Sequence, residues 1–174
     1  MADKPDFIVV SRDRDLAGRR NEVWVRHGVL GVLAVISLLG LLNVFGQKAT
    51  TSEAAAEPAA LVVHAPTRVR AGLLYSARFT VRATETLDDA ALVFDSSWVE
   101  GMQVNTIEPS PVSETSQNGS LRFELGKIEA GRQYKFFMSF QVNPTTFGHR
   151  DASVQLVDGG EPILTLHRTL TIYP

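Results

Sequence analysis

LYSARFTVRA, Leu74–Ala83, alternates along its whole length: Tyr75, Ala77, Phe79 and Val81 on one parity, Ser76, Arg78, Thr80 and Arg82 on the other. Successive side chains of a strand point to opposite faces, so this pattern describes a strand with one dry face and one wet face. The same period returns at Leu121, Phe123 and Leu125, and more strongly at Tyr134, Phe136, Met138, Phe140 and Val142. It appears again at Ala152, Val154 and Leu156, then at Leu164, Leu166, Leu170 and Ile172. Less regular apolar runs at residues 61–63, 90–94 and 102–107 bring the expected number of strands to about eight.

Turn signals separate these runs. Leu87-Asp88-Asp89, Pro109-Ser110-Pro111, Gln117-Asn118-Gly119, Ala130-Gly131, Asn143-Pro144 and Asp158-Gly159-Gly160 fall at the spacing of an all-β sandwich. No amphipathic helix interrupts them, which argues against a parallel sheet with helical crossovers. One-sided strands bury their apolar faces by stacking two antiparallel sheets, so residues 61–174 are expected to form a β-sandwich. The chain has no cysteine, so no disulfide holds this core, and thiolate metal sites and cysteine nucleophiles are excluded. Trp98 stands in a turn-rich stretch outside the alternation.

Outward from the sandwich, residues 46–60, GQKATTSEAAAEPAA, contain no large apolar side chain and are expected to be a flexible linker. Before them, residues 28–45, GVLGVLAVISLLGLLNVF, form eighteen uncharged positions between His27 and Gly46. A bilayer core takes roughly 20 apolar residues in a helix, which satisfies its own backbone hydrogen bonds. A cleavable signal peptide has an apolar run of about 7–15 residues with a small-residue cleavage site soon after. Here the nearest Ala-x-Ala lies nine residues past Phe45, which favours a permanent anchor over a signal peptide.

Arg19, Arg20 and Arg26 precede the segment, and only Lys48 follows closely. Positive charge stays inside, so residues 1–27 are expected in the cytoplasm and the sandwich outside the plasma membrane. Trp24 sits where an interfacial aromatic belongs. Small residues let membrane helices approach closely, and Gly31 and Ala34 share a face on which another helix can pack. In the N-terminal tail, Phe7, Ile8, Val9 and Val10 form an apolar patch with no core of its own. Addition to a partner's sheet, a partner's groove and rest at the headgroups are all open to it.

The run Leu125-Gly126-Lys127-Ile128-Glu129-Ala130-Gly131, followed by the alternating strand Gln133–Val142, Gly148 and residues 152–156, resembles the hairpin of bacterial immunoglobulin-like repeat domains of the CARDB type. Residues 86–94 and 101–109 are similar to the first half of that fold. The resemblance covers residues 61–174 and implies an immunoglobulin-like sandwich with an exposed scaffold or adhesion-like role. It assigns no functional residue. This chain carries a single copy on one anchor, which does not suit a long adhesive stalk.

Chemistry is sparse. Net charge is −2 overall, with six basic and five acidic residues in 1–27 and ten and twelve in 61–174, so no nucleic-acid partner is expected. His27, His64, His149 and His167 lack metal-ligand spacing, and His167 falls on the wet parity. Asp88, Asp89 and Asp95 are candidate calcium ligands near one end of the sandwich, although solvated turn acids explain them more simply. No Ser-His-Asp order, nucleophile elbow or phosphate loop is present, so neither an enzyme nor a cofactor is expected. Arg78 and Arg82 share a wet face suited to an acidic partner, anionic headgroups or plain solvation. Phe137 falls on the face opposite Phe136 and Phe140, which places a large aromatic towards solvent.

These features point to a non-enzymatic single-pass membrane protein. In the first reading it is an accessory or assembly subunit that binds an integral membrane partner through helix, tail and sandwich. The alternative is an extracytoplasmic module that binds or senses a cell-surface polymer or calcium.

Overall fold

The computed structural model describes residues 20–44, 46–117 and 119–174. The expected contact residues Phe7, Ile8, Val9 and Val10 lie outside the described residues. The chain divides into two units, Met1–Phe45 and Gly46–Pro174.

In the first unit, helix α1 spans Arg20–Leu41. Its stretch Glu22–Leu41 is long and apolar enough to cross a membrane, a length and composition that a signal sequence shares. At 1.5 Å per residue these twenty residues extend about 30 Å, the thickness of a hydrocarbon core. The helix differs from the expected span 28–45 at both ends. It stops at Leu41 because Asn43 takes a left-handed conformation with φ 54°. The amide of Val44 then donates to the Leu39 carbonyl (3.1 Å) and that of Asn43 to the Gly40 carbonyl (3.0 Å), closing the last turn.

The second unit is an immunoglobulin-like antiparallel β-sandwich. Strands β1 (Ala49–Ala56), β2 (Ala59–Pro66), β4 (Leu74–Ala83), β9 (Gln133–Val142) and β6 (Met102–Glu108) form one sheet in the order β1-β2-β4-β9-β6. Strands β12 (Glu161–Leu166), β11 (Val154–Asp158), β5 (Leu87–Phe94), β8 (Ser120–Ile128) and β7 (Ser113–Gln117) form the other, in the order β12-β11-β5-β8-β7. A three-stranded sheet, β10 (Gly148–Asp151), β13 (Thr169–Tyr173) and β3 (Arg68–Arg70), continues the fold at one end. The outer strands of the two five-stranded sheets are β1, β6, β7 and β12. Register shifts interrupt β6 between Val104 and Thr106 and β12's partner β11 between Leu156 and Val157.

The two five-stranded sheets meet through an aromatic cluster. Phe79 of β4 packs edge-on against Phe94 of β5 with centroids 4.9 Å apart, and Phe136 of β9 lies 5.4 Å from Phe123 of β8. All four side chains are fully buried. Such contacts add to area burial, because ring edges carry positive and ring faces negative charge. Trp98, set outside the alternation by its neighbours, belongs to this core. A single 3-10 turn at Ser96–Trp98, capped by the Asp95 carboxylate on the Ser97 amide (3.1 Å), swings the indole inward. There it lies 5.5 Å from Phe79 and 5.4 Å from Phe140, and its Nε1–H donates to the Ser153 carbonyl at 3.0 Å. In a sandwich without a disulfide, this indole joins both sheets by packing and a hydrogen bond.

Three expectations need correction. Residues 46–60 are not a flexible linker: β1 pairs with β2 from Ala49 opposite Pro66 to Ala56 opposite Ala59, so the sandwich unit begins at Gly46, not at residue 61. Ladder hydrogen bonds come from the backbone and need no large side chain, so a composition of Ala, Thr and Ser at a sheet edge does not exclude a strand. Leu87-Asp88-Asp89 is not a turn but the irregular start of β5, where the register on β8 shifts between Leu87 and Ala90. The described residues form thirteen strands, because short edge pieces such as β3, β7 and β10 carry too few apolar positions to show a period.

Candidate functional site

The wet parity of β4 and β9 builds the outer face of the first sheet. Register sets Arg78 beside Phe137, with His64 on the other flank of Arg78 and Glu108 beyond Phe137. One rung along, Thr80 pairs with Lys135, and the next rung pairs Arg82 with Gln133. Thr51 Oγ1 lies 2.9 Å from His64 Nδ1, and Arg82 forms an exposed ion pair with Glu53 at 3.5 Å. Arg78, Arg82, Lys135 and His64 line an open hollow of about 340 Å³ on this face. Phe137, at its border, is 42 % exposed, as its register requires. The arrangement offers cationic donors and one aromatic ring, suited to an acidic group on a partner surface.

On α1, Gly31 and Ala34 are exposed, and a side chain added at Gly31 would meet nothing within 4 Å. The helix therefore presents an unobstructed small-residue surface within its own unit.

A second polar group gathers where β10, β11 and the β12–β13 link meet. Ser153 Oγ donates to Asp151 Oδ1 at 2.6 Å and lies 3.1 Å from His167 Nδ1. These three residue types do not form a hydrolase triad, because the hydroxyl, not the imidazole, stands in the middle. With its proton directed to the carboxylate, the hydroxyl oxygen accepts from Nδ1–H. Ser153 is 9 % exposed, and its carbonyl also receives the Trp98 indole and, at 3.3 Å, the Asp95 amide. The group braces a corner of the fold. Sequence order hides it, since strand pairing brings His167 to Asp151 and Ser153.

Arg168, next along the chain, is the principal residue that sequence reasoning missed. It is 7 % exposed, and its guanidinium donates to the Val63 carbonyl (3.0 Å), the Ala65 carbonyl (2.7 Å), the Thr50 carbonyl (3.4 Å), Thr50 Oγ1 (3.3 Å) and Ser52 Oγ (3.2 Å). Five neutral acceptors satisfy the fork geometry of an arginine. Burial lowers its pKa below the ordinary arginine value, and the phenol of Tyr75 acts in the opposite sense. Burial likewise raises the Tyr75 phenol, an effect that the Arg168 charge partly offsets. The signal was present: position 168 lies on the dry parity of Leu164, Leu166, Leu170 and Ile172.

The candidate calcium ligands do not converge. Asp88 and Asp89 stand at the start of β5 and Asp95 just past its end, so about 20 Å of strand separates them. Asp88 faces Lys127 at 3.5 Å, Asp89 donates its amide to Asp158 Oδ1 at 2.7 Å, and Asp95 caps the turn before Trp98. Among the described residues, no three His, Asp or Glu side chains gather closely enough to hold a metal ion.

No protein-family model matches this chain, and no curated protein matches it. Among solved structures it is similar to CaCohA2 from Clostridium acetobutylicum, at 13% identity over 61% of this chain and 86% of that one, with a TM-score of 0.44. A non-cellulosomal cohesin from the archaeon Archaeoglobus fulgidus is 13% identical over 73% of this chain and 92% of that one, with a TM-score of 0.41. The CARDB domain of a Pyrococcus furiosus protein, solved in complex with di-metal ions, is 14% identical over 70% and 94%, with a TM-score of 0.41.

Proposed function

We propose that this protein is a non-enzymatic, single-pass membrane protein that binds an integral membrane partner as an accessory or assembly subunit. In this reading helix α1 is the anchor in the plasma membrane, with the N-terminal segment 1–27 on the cytoplasmic side and the sandwich outside. The reading rests on the outer face of the β1-β2-β4-β9-β6 sheet, where Phe137 stands beside Arg78 with Arg82 and Lys135 on the next rungs. Aromatic and arginine side chains are the residues that most often anchor protein interfaces. The Gly31 and Ala34 surface of α1 supplies a second contact within the bilayer.

Photo-crosslinkers placed at Phe137, Gly31 and Ala34 in native membranes test it. Discrete adducts with one membrane protein, retained through purification in mild detergent, are expected. A monomer without adducts at any of the three positions overturns the reading. Protease added to intact cells is expected to cut the sandwich, and protection until the cells are opened overturns the orientation.

A second reading, a module that binds an anionic cell-surface polymer, is favoured by the three cations around the hollow. It predicts that such a polymer raises the melting temperature of the intact protein and that Arg78→Ala with Lys135→Ala abolishes the rise.

A further inference from the structure

One end of the sandwich carries an apolar tip. Leu73, just before β4, and Leu74, its first residue, are 49% and 59% exposed; Phe147, in the loop that leads to β10, is 71% exposed. The two loops are joined: the Gly72 amide donates to the Val142 carbonyl (3.0 Å), the Val142 amide donates to the Leu73 carbonyl (3.1 Å), and Gly72 approaches Pro144. Three of the five exposed large apolar side chains described in residues 46–174 therefore belong to this one tip, the others being Val112 and Phe137. At the same end, register sets exposed Arg70 beside half-buried Tyr173. An apolar centre with an arginine and a tyrosine at its rim has the composition of a surface that meets a membrane interface.

Strand register shows that the chain enters the sandwich here. Ala49, the first residue of β1, pairs with Pro66, and His64 pairs with Arg78. Pro66 is thus level with Ser76, about 7 Å along β4 from Leu74. Residues 42–44 close the last turn of α1, so residues 45–48 are all that separate it from Ala49, and the span from Val44 to Ala49 is at most about 18 Å. The opposite end of β4, at Ala83, lies about 23 Å along the strand from the level of Ala49, beyond that reach.

We propose that this tip, Leu73, Leu74 and Phe147, seats the sandwich on the outer lipid surface, with Arg70 and Tyr173 at the headgroups. The inference rests on α1 being a membrane anchor. Lipid is the occupant assigned because the tether holds this end, and not its opposite, within reach of the bilayer.

The cysteine-free chain allows a single label at any chosen position. Full-length protein carrying Phe147→Cys, Leu74→Cys, Glu129→Cys or Leu33→Cys, each with an environment-sensitive fluorophore, is reconstituted in phosphatidylcholine vesicles that contain a minority of phosphatidylglycerol. Labels at Phe147 and Leu74 are expected to shift to the blue and lose about half their intensity with lipids bearing a shallow doxyl quencher, and less with a deep one. The label at Glu129, in the β8–β9 turn at the other end, is expected to stay unquenched. If the Phe147 and Leu74 labels behave like Glu129 while Leu33 is strongly quenched by the deep doxyl lipid, the tip does not touch lipid and the inference is wrong, whatever protein covers the tip. If Leu33 itself escapes the deep quencher, the anchor reading fails and takes the inference with it.

Discussion

Strands β9 and β1 belong to the same sheet, yet different forces hold them. Strand β9 buries Phe136, Met138, Phe140 and Val142 against the opposite sheet, and every second side chain contributes to the core. Strand β1, ATTSEAAA, has no buried residue at all. It is fixed by an eight-rung backbone ladder to β2 and by the Arg168 guanidinium, which reaches Thr50 and Ser52 from the far end of the chain. A sheet's centre is thus specified by its own side chains, whereas its edge is specified by neighbours.

The contrast can be broken by mutation. Phe136→Ala removes a ring in contact with Phe79, Phe94 and Phe123, and is expected to cost about 3–5 kcal/mol of global stability in denaturant titration. Equal loss of protection at amides of both sheets would accompany it. Arg168→Ala is expected to cost about 2–3 kcal/mol, and its first effect should be local. Hydrogen exchange should accelerate across β1 while β4 and β9 keep their protection. Uniform acceleration throughout the sandwich would show that edge and centre are one cooperative unit. Arg168→Lys should recover little, because an ammonium lacks the planar fork that reaches five acceptors.

Titration sharpens the comparison further. The Tyr75 phenol, in the centre of the sheet, has its pKa raised above the ordinary 10.0 by burial. A group with a raised folded-state pKa contributes stability that is complete below its unfolded value and lost as pH rises through the folded one. Wild-type stability should therefore fall above pH 10, by about 1 kcal/mol per pH unit, and Tyr75→Phe should remove that part of the slope. The Asp95 carboxylate, exposed at the turn before Trp98, is shifted the other way, chiefly by the Ser97 amide. Its contribution is present above the ordinary 3.8 and lost as pH falls through the lower folded value. Asp95→Ala should cost about 0.5 kcal/mol at neutral pH, a difference that vanishes in strong acid.

What is legible in the sequence follows the same division. The period of two across Leu74–Ala83 and Gln133–Val142 announces the centre, because burial on one face demands it. The exposure of Phe137 follows from that parity alone. Strand β1 is illegible because backbone hydrogen bonds leave no mark on composition, and so it resembles a tether. Trp98 escapes because its inward turn depends on a cap at Asp95 and on Ser153, distant in sequence. Arg168 holds the dry parity, but a charged side chain on an apolar face is credible only once five acceptors are seen to meet it. The rungs that bring Arg78, Phe137 and Lys135 together require the pairing of β4 with β9, which alternation alone does not align.

The outer strands of the two five-stranded sheets have one further consequence. An exposed strand edge is a template on which a second molecule can add and polymerise. Here β7 is short and polar, SETSQ; β6 is broken by its register shift; β12 carries Pro162; and β1 displays Ala, Thr, Ser and Glu with no large apolar side chain. Copies brought close together would find no flat, sticky border to join on either five-stranded sheet.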